Sequence, residues 1–275
     1  MHHQTPPARG ARIDLIEAGG HRLRTATWRL DEDTAAPPLL FFNGIGANIE
    51  TIAPLAERLT DRAVITFDMP GIGRSPDPVL PYNPLTMAWS ASRVLDTLGI
   101  GRADVMGFSW GGALAQQYAL QHPSRTGRLV LASTFAGMFM VPGDLSILAR
   151  MALSQRFADA RYLNEHLLAL YDPAPARPLR KLKVASRLMA PSTCGFMQQI
   201  AALAGWTSYP FLPFLSAPTL VLTGDEDHIV PPANAELLAA AIPGARLKTL
   251  AGAGHLVLLT HLDETAALLG GFLER

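Results

Sequence analysis

The sequence predicts an α/β fold, with a mostly parallel central sheet, helices on both faces and one inserted helical block. Three observations predict it. Short apolar runs alternate with helix-spaced segments along the first half of the chain. The alternation stops from about residue 135 to 216 and then resumes. A Gly-x-Ser-x-Gly turn falls where an apolar run gives way to a helical pattern.

Taken in order, residues 12–18 and 22–30 read as a leading strand pair turning at Gly19-Gly20. Residues 39–43 form a short apolar run ending at glycines, as a buried strand does. Residues 53–59 are helical in composition. Residues 63–68 make a second buried strand, followed by a Pro/Gly-rich loop to Pro84. Ala88, Ala91, Leu95 and Leu98 recur at helical spacing. Residues 103–108 read as a strand, 109–121 as a helix ending before Pro123, and 129–133 as a strand. Within the insertion, 147–155 and 164–170 are helical patches beside the Pro-rich stretch 173–178. The rhythm then returns with a strand at 219–223, a helix marked by Leu237, Leu238, Ala241 and Ile242, and a strand at 246–250. Leu262, Ala266, Leu269 and Leu273 mark the last helix. Residues 1–134 and 217–275 are thus expected to form the core, and 135–216 a helical cap.

The composition excludes several classes. The 275 residues carry 23 basic and 23 acidic side chains, so no net charge supports a broad nucleic-acid-binding surface. At 49% hydrophobic the chain is expected to fold. The one cysteine, Cys194, gives neither an internal disulfide nor a cysteine-based zinc site, and is expected to be a small buried hydrophobe. No apolar run follows the first charges, so no secretory signal is expected. Only 17% of residues are charged, against about 25% in ordinary soluble proteins. Charge is missing from 129–143 and 188–224, the two joins of the insertion. Pro191, Pro210, Pro213 and Pro218 break the second stretch, which argues against a membrane span. The insertion itself holds eight basic and four acidic residues, a charge of +4, and the remainder balances it at −4.

The chemistry lies in four turns. Gly107-Phe108-Ser109-Trp110-Gly111 sits between strand and helix, the context that exposes a nucleophilic serine oxygen. A serine hydroxyl needs a base, and His255 stands between the last strand and the last helix. The base needs a carboxylate to set its tautomer. Gly224-Asp225-Glu226-Asp227-His228 supplies three candidates after a strand end, in the chain order serine, acid, histidine. His228 reads as a local polar residue. Asn43-Gly44-Ile45-Gly46-Ala47-Asn48 is a glycine turn without the Gly-Lys-Ser/Thr of a phosphate loop. An oxyanion needs preorganised donors, and the backbone N–H groups of Ile45 and Trp110 would provide them. Asp68, at the head of the loop Asp68-Met69-Pro70-Gly71-Ile72-Gly73-Arg74-Ser75, reads as structural, holding that loop through backbone hydrogen bonds.

From about residue 12 onward the chain resembles the α/β-hydrolase superfamily. There the acid stands three residues after the glycine of a Gly-x-x-Asp turn, which selects Asp227. Asn43 replaces the histidine common at the start of the oxyanion turn. The segments Phe42–Asn48, Ser109-Trp110-Gly111-Gly112-Ala113-Leu114-Ala115-Gln116-Gln117, Met140-Val141-Pro142-Gly143, Gly205-Trp206-Thr207-Ser208 and His255-Leu256 are similar to intracellular depolymerases of medium-chain-length polyhydroxyalkanoates. The resemblance implies a cytoplasmic serine esterase, associated with polyester granules, that needs no metal or organic cofactor. Its substrate would be a hydrophobic polyester or medium-chain acyl ester, and homo-oligomers remain compatible with it. Alternatives of the same fold are a small-molecule carboxylesterase, a carbon–carbon bond hydrolase and an acyltransferase. An inactive hydrolase-like binding protein is the alternative from another class. Phe135, Met138, Phe139, Met140 and Trp206 of the insertion, with Asn43 and Leu256, are expected to line an apolar pocket suited to alkyl chains.

Overall fold

Alternating burial of successive strand residues builds two cores, one on each side of a single sheet. In the computed structural model, which describes residues 10–34, 36–146 and 189–274, the strands are β1 (Arg12–Ala18), β2 (His21–Trp28), β3 (Leu39–Phe42), β4 (Val64–Phe67), β5 (Ala103–Phe108), β6 (Thr126–Ala132), β7 (Thr219–Gly224) and β8 (Arg246–Leu250). The described helices are numbered α1 (Ile49–Arg58), α2 (Pro84–Thr97), α3 (Trp110–Gln121), α4 (Thr193–Ala202), α5 (Pro232–Ala241), α6 (Val257–Thr260) and α7 (Leu262–Leu273). Leu40 and Phe42 of β3 face the core covered by α2, α3 and α5, with Leu129 and Leu131 of β6. Leu39, Phe41, Val130 and Ala132 face the core under α1, α6 and α7. This period of two, with both faces apolar, is what a strand buried between helical layers requires.

The strand order is β1-β2-β4-β3-β5-β6-β7-β8. The β1–β2 and β2–β4 pairs are antiparallel, and every later pair is parallel. From β3 the chain crosses through α1 to β4 on one side, whereas from β5 it crosses through α3 to β6 on the other. The loops leaving β3 and β5 therefore diverge and open a crevice at their carboxyl ends, where open α/β sheets bind ligands.

Some boundaries differ from expectation. The second helix starts at Pro84 because the Asn83 side chain accepts the Thr86 N–H while Thr86 answers with its hydroxyl, and proline suits the first helical position. The first helix starts at Ile49 rather than at residue 53. Cys194 is exposed, not buried, since Gly195, Phe196, Gln199 and Ala202 form the buried face of α4. The helical patches at 147–155 and 164–170 and the stretch 173–178 lie outside the described residues. Of the β6–β7 connection, the structure describes a strap up to residue 146, then α4 and a 3-10 segment (Tyr209–Phe214). The strap joins the far side by a Gly137–Thr207 bridge, and Asn234 exchanges two hydrogen bonds with the Val141 backbone. Among the described residues, no helix is long and apolar enough to cross a membrane.

The turn from β5 into α3 depends on close backbone approach. A Cβ at Gly111 would lie 2.1 Å from the Phe42 carbonyl oxygen, and one at Gly107 would lie 2.2 Å from that of Gly111. Backbone cannot yield as a flexible side chain can. Gly111→Ala is expected to lower the unfolding free energy by about 2–3 kcal/mol. Gly101→Ala, in open space, should stay within about 0.5 kcal/mol. Urea denaturation of the two variants checks the contrast.

Candidate active site

Ser109 follows directly on β5 with φ 53° and ψ −122°, a conformation that costs a non-glycine residue about 1–3 kcal/mol. Its surroundings impose that backbone. The Ser109 N–H donates to the Ala132 carbonyl (2.9 Å), and the Ser109 carbonyl accepts from Gly112 N–H (2.8 Å) and the Thr134 hydroxyl (2.7 Å). The turn lifts the hydroxyl above the sheet, where it lies 3.0 Å from His255 Nε2. His255 follows β8, and its Nδ1 lies 2.8 Å from Asp227 Oδ2. A carboxylate only accepts, so Nδ1 carries the proton and Nε2 is left to accept from serine. Asp227 Oδ1 accepts the N–H groups of Ile229 (3.0 Å) and Val230 (2.8 Å), which hold the carboxylate in place. All three side chains are buried.

Another acid of this turn is engaged elsewhere. Asp225 is exposed and accepts the Gly252 N–H (2.7 Å), tying the β7 turn to the turn after β8. His228 is exposed. The turn's residues by themselves left three acids open and the family resemblance selected Asp227; the structure brings that residue to His255.

The turn after β3 stands beside Ser109, where a Cβ at Gly44 would lie 3.5 Å from the Ser109 Cβ. Asn43 donates to the Asn48 carbonyl (2.8 Å) and accepts from the Gly44 N–H (3.1 Å). It thus closes the turn, with both ends of its amide engaged there. Among the described residues, the backbone N–H groups of Ile45 and Trp110 have no hydrogen-bond partner. Trp110 is the first residue of α3, so its N–H is one of the four that a helix start leaves unsatisfied.

A buried charge cluster braces this turn from below, and the sequence reading missed it apart from Asp68. Arg24 of β2 pairs with Glu50 (2.6 Å) and with Asp68 (2.9 Å). Asp68 also accepts the backbone N–H of Ile49 (2.7 Å) and of Arg74 (3.2 Å), so it caps α1 and pins its own loop. Glu50 accepts from the Asn48 side chain. One cation serves two carboxylates, and they part company. Burial pushes Glu50 up, but the Arg24 hydrogen bonds and charge outweigh it and hold it below the ordinary range. Burial dominates at Asp68 and lifts it to about 6, against the pull of Arg24.

The residues expected to line a pocket separate. Phe135 is half-buried against the core that contains Phe108 and Leu256. Leu256 lines a cavity of about 30 Å³ behind the turn, with Phe108, Asn43 and Ile52. Met140 is half-buried. Met138 (67%) and Phe139 (57%) are exposed, and Phe139 packs on Tyr209 with ring centroids 5.4 Å apart. Trp206 donates to Gln117 (3.0 Å) and lines an outer groove of about 830 Å³ with Leu120, Phe211 and Phe214. That groove's lining contains none of Ser109, Asp227 and His255. Side-chain size and apolarity gave no signal for which way each residue would face.

The family model for the alpha/beta hydrolase fold matches residues 37–262. This chain belongs to the alpha/beta hydrolase family. It is 41% identical over 240 residues to a poly(3-hydroxyalkanoate) depolymerase of Ectopseudomonas oleovorans, covering 86% of this chain and 84% of that one. It is 31% identical to a 2-hydroxymuconate semialdehyde hydrolase of Pseudomonas sp. (strain CF600), covering 94% and 93%. Among solved structures, a hydrolase from Pseudomonas aeruginosa PA01 superposes with a TM-score of 0.79 at 28% identity, covering 98% and 100%. In this alpha/beta hydrolase the serine turn, the acid turn and the histidine loop stand at the carboxyl ends of β5, β7 and β8.

The cluster gives a pH prediction with a definite sign. A carboxyl whose folded pKa is raised binds more protons folded than unfolded, so its share of stability falls as pH rises. For Asp68 the window runs from its ordinary value of 3.8 to about 6, worth on the order of 3 kcal/mol. Glu50, lowered, acts oppositely, and its share is lost as pH falls below about 4.5. Asp68→Asn is therefore expected to gain stability relative to wild type between pH 4 and 6 and to hold a constant difference above that. Denaturant titrations at stepped pH read this difference, and a flat difference would contradict it.

Proposed function

We propose that this alpha/beta hydrolase is a serine esterase that cleaves the ester bonds of medium-chain-length polyhydroxyalkanoate, or of its 3-hydroxyacyl oligomers. The observation that carries the reading is the unbroken Ser109–His255–Asp227 hydrogen-bonded line beside two unpaired backbone N–H groups. The likeness to the poly(3-hydroxyalkanoate) depolymerase supports the substrate.

In this reading Ser109 Oγ attacks the ester carbonyl carbon while its proton passes to His255 Nε2. Asp227 stabilises the imidazolium, and the N–H groups of Ile45 and Trp110 hold the oxyanion. The ester C–O bond breaks, His255 returns the proton to the departing alkoxide, and the hydroxyl product leaves. Water then attacks the acyl-enzyme, giving its proton to His255. Collapse breaks the acyl–Ser109 bond, the free hydroxyacid departs and Ser109 regains its proton. Residues 135–216 serve as a cap over the site, with Phe135, Met140 and Leu256 toward the acyl chain. Met138, Phe139 and the exposed Phe211 and Phe214 suit contact with a granule surface in the cytoplasm.

Ser109→Ala is expected to cut turnover of p-nitrophenyl octanoate by at least about 10⁴-fold and to abolish fluorophosphonate labelling. A folded variant that keeps its turnover would sink the reading. Asp227→Asn should lose on the order of 10⁴-fold in kcat, because the histidine would be held in the wrong tautomer. Substrate class is read by clearing of medium-chain against short-chain polyester latex, with hydroxyacid release from the former expected. The sequence likeness to the 2-hydroxymuconate semialdehyde hydrolase favours carbon–carbon bond hydrolysis as a second reading. Turnover of that semialdehyde without polyester clearing would select it.

A further inference from the structure

The β6–β7 connection contributes one polar residue to the heart of the site. On α4, Gly195, Phe196, Gln199 and Ala202 form the buried face, and Gln199 has no exposed surface. Its side-chain Oε1 accepts the Gly46 N–H at 2.8 Å. Its backbone carbonyl accepts the Trp110 indole Nε1–H, also at 2.8 Å. One residue thus touches both segments that carry the unpaired N–H groups.

The geometry of the turn explains why the first bond matters. The Ile45 N–H belongs to the peptide between residues 44 and 45. The preceding peptide is held by the Gly44 N–H on Asn43 Oδ1, and the following one by the Gly46 N–H on Gln199 Oε1. The peptide between them is itself held by the Ala47 N–H on the Gly44 carbonyl (3.2 Å), and the two flanking bonds limit how far it can tilt. Among the described residues, Gln199 Nε2 is buried without a partner. An unsatisfied buried donor is unfavourable, and an apolar residue would fill this space without it. The acceptor oxygen is therefore what the position uses.

The helix that presents Gln199 is itself pinned. Ser192 N–H donates to the Gly71 carbonyl (2.9 Å), and a Cβ on Gly195 would lie 2.5 Å from that same oxygen. Phe196 packs against Gly46.

We propose that Gln199 is a positioning residue that sets the Ile45 and Trp110 N–H donors, so that competence of the oxyanion hole depends on α4 being docked. The proposal rests on the reading of Ser109 as nucleophile.

Gln199→Met keeps the length and the backbone acceptor but removes Oε1. Its kcat for p-nitrophenyl octanoate is expected to fall about 10- to 100-fold, the scale of a misplaced donor, with KM within about threefold. The inhibition constant of an alkyl trifluoromethyl ketone, which forms a tetrahedral oxyanion on the serine, should rise by the same factor. Trp110→Phe removes the indole donor while keeping the backbone N–H, and it should show the same kcat-selective loss. It carries the test alone if Gln199→Met does not fold. A kcat within threefold of wild type, a loss confined to KM, or an unchanged inhibition constant would overturn the proposal. Turnover surviving in Ser109→Ala would instead remove the reading beneath it. An inactive Ser109→Ala beside an unimpaired Gln199→Met would remove this proposal alone.

Discussion

The backbone at Ser109 is strained, and much of the molecule is arranged to hold it there. A residue at φ 53° and ψ −122° relaxes unless its neighbours forbid it. Here β6 takes its N–H, Thr134 takes its carbonyl, and α3 begins at the next residue. The start of that helix lies against the end of β3 so closely that Gly111 leaves no room for a Cβ. The same contact brings the turn after β3 to the serine. Strain, glycine packing and the site's crevice are thus one constraint, located where the crossovers from β3 and β5 diverge.

That constraint explains what could be read along the chain. The serine turn was legible because its glycines, the strand before it and the helix after it are all local. His255 was legible for a similar reason, as a histidine between the last strand and the last helix. Asp227 was harder. Asp225 is just as near the end of β7, and what separates them is that Asp225 reaches Gly252 while Asp227 reaches His255. Those partners are remote in sequence, so periodicity carries no trace of the choice; only the resemblance to a family pattern made it.

The supports of the site were less legible. The first helix starts at Ile49 because Asp68, after the next strand, accepts the Ile49 N–H. A cap supplied by tertiary structure leaves no motif beside the helix it caps. The placement of β4 between β2 and β3 is equally silent in the apolar pattern, since a strand buried on both faces reads the same at any place in a sheet. Gln199 is further removed still, meeting Gly46 across 153 positions. It lay inside an uncharged stretch whose aromatic and methionine residues drew attention as pocket candidates. Several of those turned outward, and the amide among them turned in.

The scarcity of charge at the joins of the β6–β7 connection acquires a structural sense from this. The second uncharged stretch, 188–224, contains α4 and runs into β7. A helix that lays its face over two hydrogen-bonding turns must bury whatever that face carries. A charge buried there would need a partner of its own, and it would set a field at the place proposed for the oxyanion. A neutral amide can accept one N–H without doing either. Charge is instead concentrated below the turn, where Arg24, Glu50 and Asp68 satisfy one another and hold α1 and the β4 loop. The turn after β3 is thereby clamped between an ionic brace on the sheet side and a neutral one on the α4 side. Among the described residues, only the neutral brace belongs to an element outside the sheet and its flanking helices.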